Sequence, residues 1–490
     1  METQVEKKID ADSKPAGRNG LVRRLGLFSA IAVLVGSTIG TGIFRSPAGI
    51  AARVPDEGLY LLLWVLGGFF TLCGALTIAE LAAALPRTGG IFVFLREGWG
   101  RLPAFLFGWS ELVIIRASAL GAISTVFAEY FLRLLNQPVT IIVETAEGPI
   151  QQSSPAVHYV AAGAILTVAV FNILGVQLGA IVQNITAGTK YIALVLLVLA
   201  AFIVGGNNPA QITIQTTPAS DPISPIMFGL AFISLLWVYD GWADVTFVGG
   251  EIKRPERFLP LALIFGTLAV IAIYLLANLA YLHLLDINQI ANSKLVAADV
   301  AYRIVGDVGV KLVSIAVMIS AFGTLNGSMM TGPRIFFAMA DDGLFFKEFA
   351  LVHPRFKTPY VAISLAAMLA IIFVLMRNFE QLADMFVLAI WPFYAAGVAA
   401  VYSLRRKLPD LHRPYKTLGY PVTPALFILA VAILIGNALI NDFNNLGNYR
   451  ILFSGGSPPS NWSAALMVFS IILIGIPVYL IWRSKHSRRT

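Results

Sequence analysis

The sequence is poor in the residues that most chemistry uses. It holds one cysteine, Cys73, and five histidines in 490 residues. A single cysteine excludes an intrachain disulfide and any metal site built on several thiolates. Four of the histidines, His158, His283, His353 and His412, fall near predicted loops. No His-Glu-x-x-His motif, no Ser-His-Asp ordering and no phosphate-cradling glycine loop occurs. Enzyme chemistry has no foothold, and neither a cofactor nor a metal is expected. Charge is scarce as well. Asp, Glu, Lys and Arg make up 13% of the chain against 57% hydrophobic residues, a balance that excludes a soluble fold.

Long apolar runs are what the chain has in abundance. Roughly twelve recur, most near the ~20 residues that span ~30 Å of hydrocarbon. They fall near 25–53 (broken), 58–84, 102–135, 157–175, 180–205, 225–250, 260–285, 308–338, 359–376, 381–404, 420–441 and 462–482. They leave no room for a soluble domain, so the lipid bilayer is the first expected partner. The net charge of +8 could suggest nucleic acid, but its distribution argues against that. Arg405, Arg406, Lys407, Arg413 and Lys416 crowd one loop, and Lys253, Arg254 and Arg257 another, whereas 137–156 and 206–224 hold no Lys or Arg. Alternation of this kind is the positive-inside pattern and predicts both termini cytoplasmic. Residues 1–20 are polar without an apolar core and read as a disordered tail rather than a signal peptide.

Two of the apolar runs are interrupted. Residues 36–42 read Gly-Ser-Thr-Ile-Gly-Thr-Gly inside the first. Three glycines in seven residues disfavour a continuous helix. At bilayer depth the freed backbone groups survive only inside protein or along a polar cavity. The N–H groups of Gly40, Thr41 and Gly42 would open the second half-helix, a positive dipole end suited to a carboxylate. The sixth run is interrupted at Trp237-Val-Tyr-Asp240-Gly241. An Asp at that depth costs about 2.5–3.5 kcal/mol unless it faces water or a partner. Two broken spans at corresponding places of two halves point to inverted repeats around a central site. The expected organisation is a tail over 1–20, a first five-helix repeat over 21–206, a second over 207–416, and two peripheral helices over 417–490. Between the second and third spans, 85–94 predicts a short surface or re-entrant helix, and the polar segment 286–307 a cap over one mouth.

With these residues in view the chain resembles the amino acid–polyamine–organocation transporter family, and within it the L-type amino-acid transporter branch. The resemblance rests on motifs in order. They are Gly36 to Phe44; Ala79-Glu-Leu through Leu85-Pro-Arg-Thr-Gly-Gly90; Trp109 to Arg116; Gln183 to Lys190; Tyr239-Asp-Gly-Trp242 leading to Glu251 and Pro255; Phe322 to Ser328 and Arg334; and Arg405 to Lys416. Where the L-type pattern continues with Pro after Arg116, this chain has Ala117.

The resemblance implies an all-α polytopic fold of two inverted five-helix repeats, the LeuT-like arrangement, and alternating-access transport of amino acids, often by exchange. It implies a substrate carboxylate on the N–H groups of Gly40, Thr41 and Gly42, and an α-ammonium on carbonyls at Thr38, Trp237, Val238 and Asp240. It implies that the Trp237 ring covers the substrate. It also implies that Lys190 stands where sodium-coupled relatives of the fold hold a cation, hence sodium independence. Asp240 has two readings, a charge that meets a cationic substrate or carries a proton, and a helix-break cap. Arg116, with Glu111 nearby and Glu80 near the same membrane side, reads as part of a buried ion pair. Asn326 is expected to hydrogen-bond between spans one, six and eight, and Trp391 to pack near the pocket.

The leading reading is a secondary amino-acid transporter, by sodium-independent exchange. The alternatives are a proton-coupled or cationic amino-acid/polyamine symporter, a channel, and a non-transporting sensor with the same fold. Mammalian L-type transporters use a cysteine in the outer loop between spans three and four to join a heavy subunit. Residues 136–156 have none, so no disulfide-linked partner is expected and a bacterial inner membrane is the expected location.

Overall fold

A computed structural model describes residues 23, 25–87, 89–145, 148–174, 192–204, 224–341, 351–356, 358–447 and 463–487. The first run is two helices, α1 (Leu27–Thr38) and α2 (Gly42–Arg53), bent by 43° at the break. Then come α3 (Glu57–Ala84), the short α4 (Ile91–Trp99) and α5 (Arg101–Ser110), which passes through a π-helical turn (Glu111–Ile115) into α6 (Arg116–Leu134). Next are α7 (Pro155–Leu174), α8 (Ile192–Val204) and α9 (Pro225–Tyr239). After α9 the chain turns at Asp240–Ala243 into a 3₁₀ segment, Asp244–Glu251. Beyond it lie α10 (Pro255–Leu284), α11 (Ile287–Asn292), α12 (Val296–Val305), α13 (Asp307–Asp341), α14 (Tyr360–Met376), α15 (Phe379–Lys407), α16 (Val422–Asn444) and α17 (Ala465–Ser487).

Among the described residues, nine helices are long and apolar enough to cross a membrane, ten if the bent pair is one span. The shorter α8 and α14 occupy two further places in the expected series. One departure from an all-α chain is a hairpin, Thr140–Thr145 paired antiparallel with Gly148–Ser153. It falls in the stretch expected as a plain loop. Thr140, Ile141, Ile142 and Val143 are consecutive β-branched residues, which favour extended backbone. The cap expected over 286–307 is α11 and α12, and α11 starts on a capping box between Asp286 and Gln289.

Small residues set the close packing around the two breaks. A methyl group on Gly67 of α3 would lie 2.6 Å from Leu235 Cδ2, and one on Gly68 2.9 Å from Ile271 Cγ1. Glycine there lets α9 and α10 approach α3 closely, as small residues do between membrane helices. The approach seats Tyr239 and Tyr274 against Trp64, with ring centroids 6.1 and 5.9 Å away.

Ion pairs close both ends of the bundle. At one end Arg45 of α2 reaches Glu129 of α6 at 2.8 Å and Glu380 of α15 at 2.7 Å. Arg53 of α2 reaches Asp384 at 2.9 Å and the Leu230 carbonyl at 2.8 Å, and it also meets Ser234. At the other end Glu80 of α3 accepts two bonds from Arg405, at 2.9 and 2.7 Å, and two from the backbone and hydroxyl of Thr417, at 2.7 and 2.8 Å. There the chain before α1 is pinned as well: Leu25 donates to the Glu251 carbonyl at 3.0 Å, and Lys253 donates to the Leu25 carbonyl at 2.8 Å.

Candidate functional site

The two breaks meet face to face. A methyl group on Gly42, the first residue of α2, would lie 3.1 Å from Val238 Cα near the end of α9. Gly241 closes the other side. Its φ is +99°, and a side chain there would sit 2.7 Å from the Ser37 carbonyl carbon. Glycine is needed at that position because the turn after α9 runs directly against the backbone of α1.

Each break leaves helix ends open. By helix geometry the first N–H groups of α2 have no partner within the helix. Gly40 is not among the open donors, because the tight turn after Thr38 folds its N–H back onto the Thr38 carbonyl at 2.8 Å. Phe44 likewise donates to the Thr41 carbonyl at 3.2 Å. Of the three residues expected to seat a carboxylate, Thr41 and Gly42 remain at the mouth of α2.

The start of α2 is steadied by tyrosines. Pro47 lies inside the helix and has no N–H, which removes the ordinary partner of the Ile43 carbonyl. The Tyr281 hydroxyl donates to that carbonyl at 3.2 Å, and the Tyr130 hydroxyl donates to the Phe44 carbonyl at 3.2 Å.

Facing α2 are the last carbonyls of α9 and of α1. The Trp237 carbonyl accepts the Asp240 N–H at 3.4 Å. The Tyr274 hydroxyl donates to the Thr38 carbonyl at 2.7 Å and to the Val238 carbonyl at 3.0 Å. The Thr38 side chain turns back to the Leu34 carbonyl at 2.9 Å, which leaves its backbone at the break. The Trp237 ring is 9% exposed and meets Phe386 and Phe379 edge-on, at 5.0 and 6.3 Å. Arg45 lies 5.0 Å over Phe379. The indole is thus the innermost layer of the end closed by Arg45.

Asp240 accepts the Tyr394 hydroxyl at 2.9 Å. It follows α9 in extended conformation, with φ −66° and ψ 158°. Arg116 donates to Glu111 at 3.0 Å and to Ser328 at 2.8 Å. Gly332 makes room for it, since a methyl there would lie 2.2 Å from Arg116 Nε. Glu80 does not join Arg116; it pairs with Arg405, at the end where the basic 401–416 segment lies. Asn326 takes a hydrogen bond from Asn172 of α7 at 2.9 Å, a span not among those expected. Trp391 stacks on Phe427 of α16 at 5.6 Å, a packing contact. Lys190 lies outside the described residues.

Several residues at the site went unread in the sequence. Arg45, Glu129 and Asp384 are charges inside apolar runs and Glu380 stands at the edge of one, and a charge in such a place is itself a signal of pairing or function. Tyr274 carries no such signal, because one tyrosine in an apolar helix looks like any other.

Residues 25–477 match the amino acid permease family. The chain is 33% identical to the serine/threonine exchanger SteT of Bacillus subtilis (strain 168), over 90% of this chain and 96% of that protein. It is 29% identical to the human b(0,+)-type amino acid transporter 1, over 91% and 88%, and 29% identical to the human cystine/glutamate transporter, over 95% and 87%. With paired broken spans, closed charge networks at both ends and a family match along nearly its whole length, this chain belongs to the amino acid permease family.

Proposed function

We propose that the protein exchanges amino acids across a membrane by alternating access, with the substrate held between the two breaks. The observation that carries this reading is the contact of Gly42 with Val238. It sets the N-terminal end of one half-helix against the C-terminal end of another. A zwitterion needs opposite partial charges a few ångströms apart, and paired helix ends supply them. The carboxylate sits at Thr41 and Gly42, and the ammonium at the carbonyl end around Trp237, Asp240 and Thr38, with the Trp237 ring as a lid. The names of the relatives, exchangers and amino-acid transporters, support exchange.

In this reading 21–206 and 207–416 are the two inverted repeats. Lys190 replaces a coupling cation and makes transport sodium-independent. The basic segments 253–257 and 401–416 lie in the cytoplasm, as do both termini, and a bacterial inner membrane is the home. Cys73 is buried within α3, which supports a chain with no disulfide-linked heavy subunit.

Asp240 favours a second reading for substrate choice. Its carboxylate accepts the Tyr394 hydroxyl and the Gly241 backbone N–H, with no paired cation at hydrogen-bond distance among the described residues. It is placed to meet a cationic side chain or to carry a proton. The test of the main reading is saturable uptake of a panel of labelled amino acids into proteoliposomes, loaded or not with unlabelled amino acid. Uptake that rises strongly with internal amino acid supports exchange. Equal uptake with and without it supports symport, and its absence a sensor.

A further inference from the structure

Tyr274 ties the two breaks together. Its hydroxyl lies 2.7 Å from the carbonyl oxygen of Thr38, the last residue of α1, and 3.0 Å from that of Val238 in the last turn of α9. Both oxygens belong to C-terminal helix ends, which carry partial negative charge. Two such ends repel unless something positive lies between them, and the O–H hydrogen supplies it. The ring cannot easily swing away. It is fully buried, edge-packed on Trp64 at 5.9 Å and Tyr239 at 5.2 Å. One turn on, Asn278 donates to the Tyr274 carbonyl at 2.7 Å and accepts from Tyr60.

The Thr38 carbonyl also accepts the Gly40 N–H at 2.8 Å. It is held twice, by the turn of its own break and by the single Tyr274 hydrogen that it shares with the Val238 carbonyl. Thr38 and Val238 are thus held in place before any substrate arrives, and the cost of ordering them is met in the fold rather than at binding.

Resting on the seat proposed above, we infer that Tyr274 is a positioning residue for amino-acid recognition. Its hydroxyl fixes the spacing of the two carbonyl ends that face the α-ammonium. It acts on the ammonium half of the seat and leaves the carboxylate half, at the mouth of α2, to Thr41 and Gly42.

The test is Tyr274→Phe in proteoliposomes, which removes the hydroxyl and keeps the ring. Uptake of a labelled amino acid from the panel above is inhibited by L-alanine and, separately, by L-lactate. Lactate keeps the carboxylate and replaces the ammonium with a hydroxyl. The wild type is expected to favour alanine strongly. Tyr274→Phe is expected to lose at least about fivefold of that preference, the scale of one net hydrogen bond, with the maximal rate within about twofold. Tyr281→Phe is the comparator on the same helix; its hydroxyl serves the Ile43 carbonyl, and its alanine-to-lactate ratio should match wild type. If Tyr274→Phe fails to insert, Tyr274→Met removes the same hydroxyl with a flexible apolar side chain. A ratio unchanged from wild type in either variant overturns the role of Tyr274 and leaves the seat standing. A wild type that does not distinguish alanine from lactate overturns the seat itself, and this role with it.

Discussion

Arg45 of α2 and Glu380 of α15 are joined at 2.7 Å across 335 residues of sequence. Glu129 completes the cluster at 2.8 Å from the same guanidinium, whose side chain is 3% exposed. A guanidinium fork can serve two carboxylates at once, which an ammonium does less well. Removing it strands two acids in a buried place. Arg45→Ala should therefore cost about 3–5 kcal/mol of stability, and Arg45→Lys less. Thermal unfolding in detergent checks this. An Arg45→Ala protein that melts like wild type would show that the cluster holds nothing together.

The glycines at the breaks should not behave alike. Gly241 has positive φ and backbone 2.7 Å from where its Cβ would go, whereas the nearest atom to a Cβ on Gly40 is Thr324 Cγ2 at 3.8 Å. Gly241→Ala is expected to abolish uptake and lower the yield of folded protein. Gly40→Ala is expected to insert and fold normally. Size-exclusion profiles of the two variants, with uptake alongside, make the comparison. The reverse ranking would mean that the breaks are packed differently.

Asp240→Asn keeps the shape of the side chain and an oxygen for the Tyr394 hydroxyl, but removes the charge. If the charge meets substrate, cationic amino acids should lose at least about tenfold in competition, while neutral ones change little. The measurement is competition by neutral, cationic and anionic amino acids at two pH values, in wild type and variant. Identical profiles would reduce Asp240 to a cap of the helix break, its side-chain oxygen on local backbone N–H groups, a role Asn fills nearly as well.

Lys190 carries the prediction on coupling. Uptake should be the same in sodium and in choline. If Lys190 stands in for a coupling cation, Lys190→Ala should reduce transport at least about tenfold, since the oxygens expected around an ammonium would be left unpaired. A steep sodium dependence in wild type would refute the assignment.

The apolar runs placed nearly every helix, because a span must supply about 20 apolar residues and soluble segments need not. The break at 39–41 was legible for a similar reason: Gly36, Gly40 and Gly42 oppose a continuous helix at a depth where irregular backbone must be protected. The turn at Asp240 and Gly241 announced itself through a carboxylate and a glycine in an apolar run. Partners were harder to read. Glu80 pairs with Arg405, 325 residues away, rather than with Arg116, and Asn326 meets Asn172 on α7. Which polar groups meet depends on how the helices are arranged around one another, and apolar periodicity does not encode that. The turn of Gly40 onto Thr38 and the bridge made by Tyr274 depend on backbone direction at single residues, a level below any sequence pattern.

In the proposed function, substrate is held where Gly42 abuts Val238. The most direct measurement is efflux of a labelled amino acid from loaded proteoliposomes, with and without unlabelled amino acid outside, for wild type and Gly42→Val at matched amounts of inserted protein. A β-branched side chain there presses on Val238, whose Cα would lie 3.1 Å from the new Cβ, and crowds the mouth of α2. Wild-type efflux should depend on external amino acid, and Gly42→Val, though inserted, should show none. Wild-type exchange and unchanged substrate affinity in Gly42→Val would contradict the proposed seat.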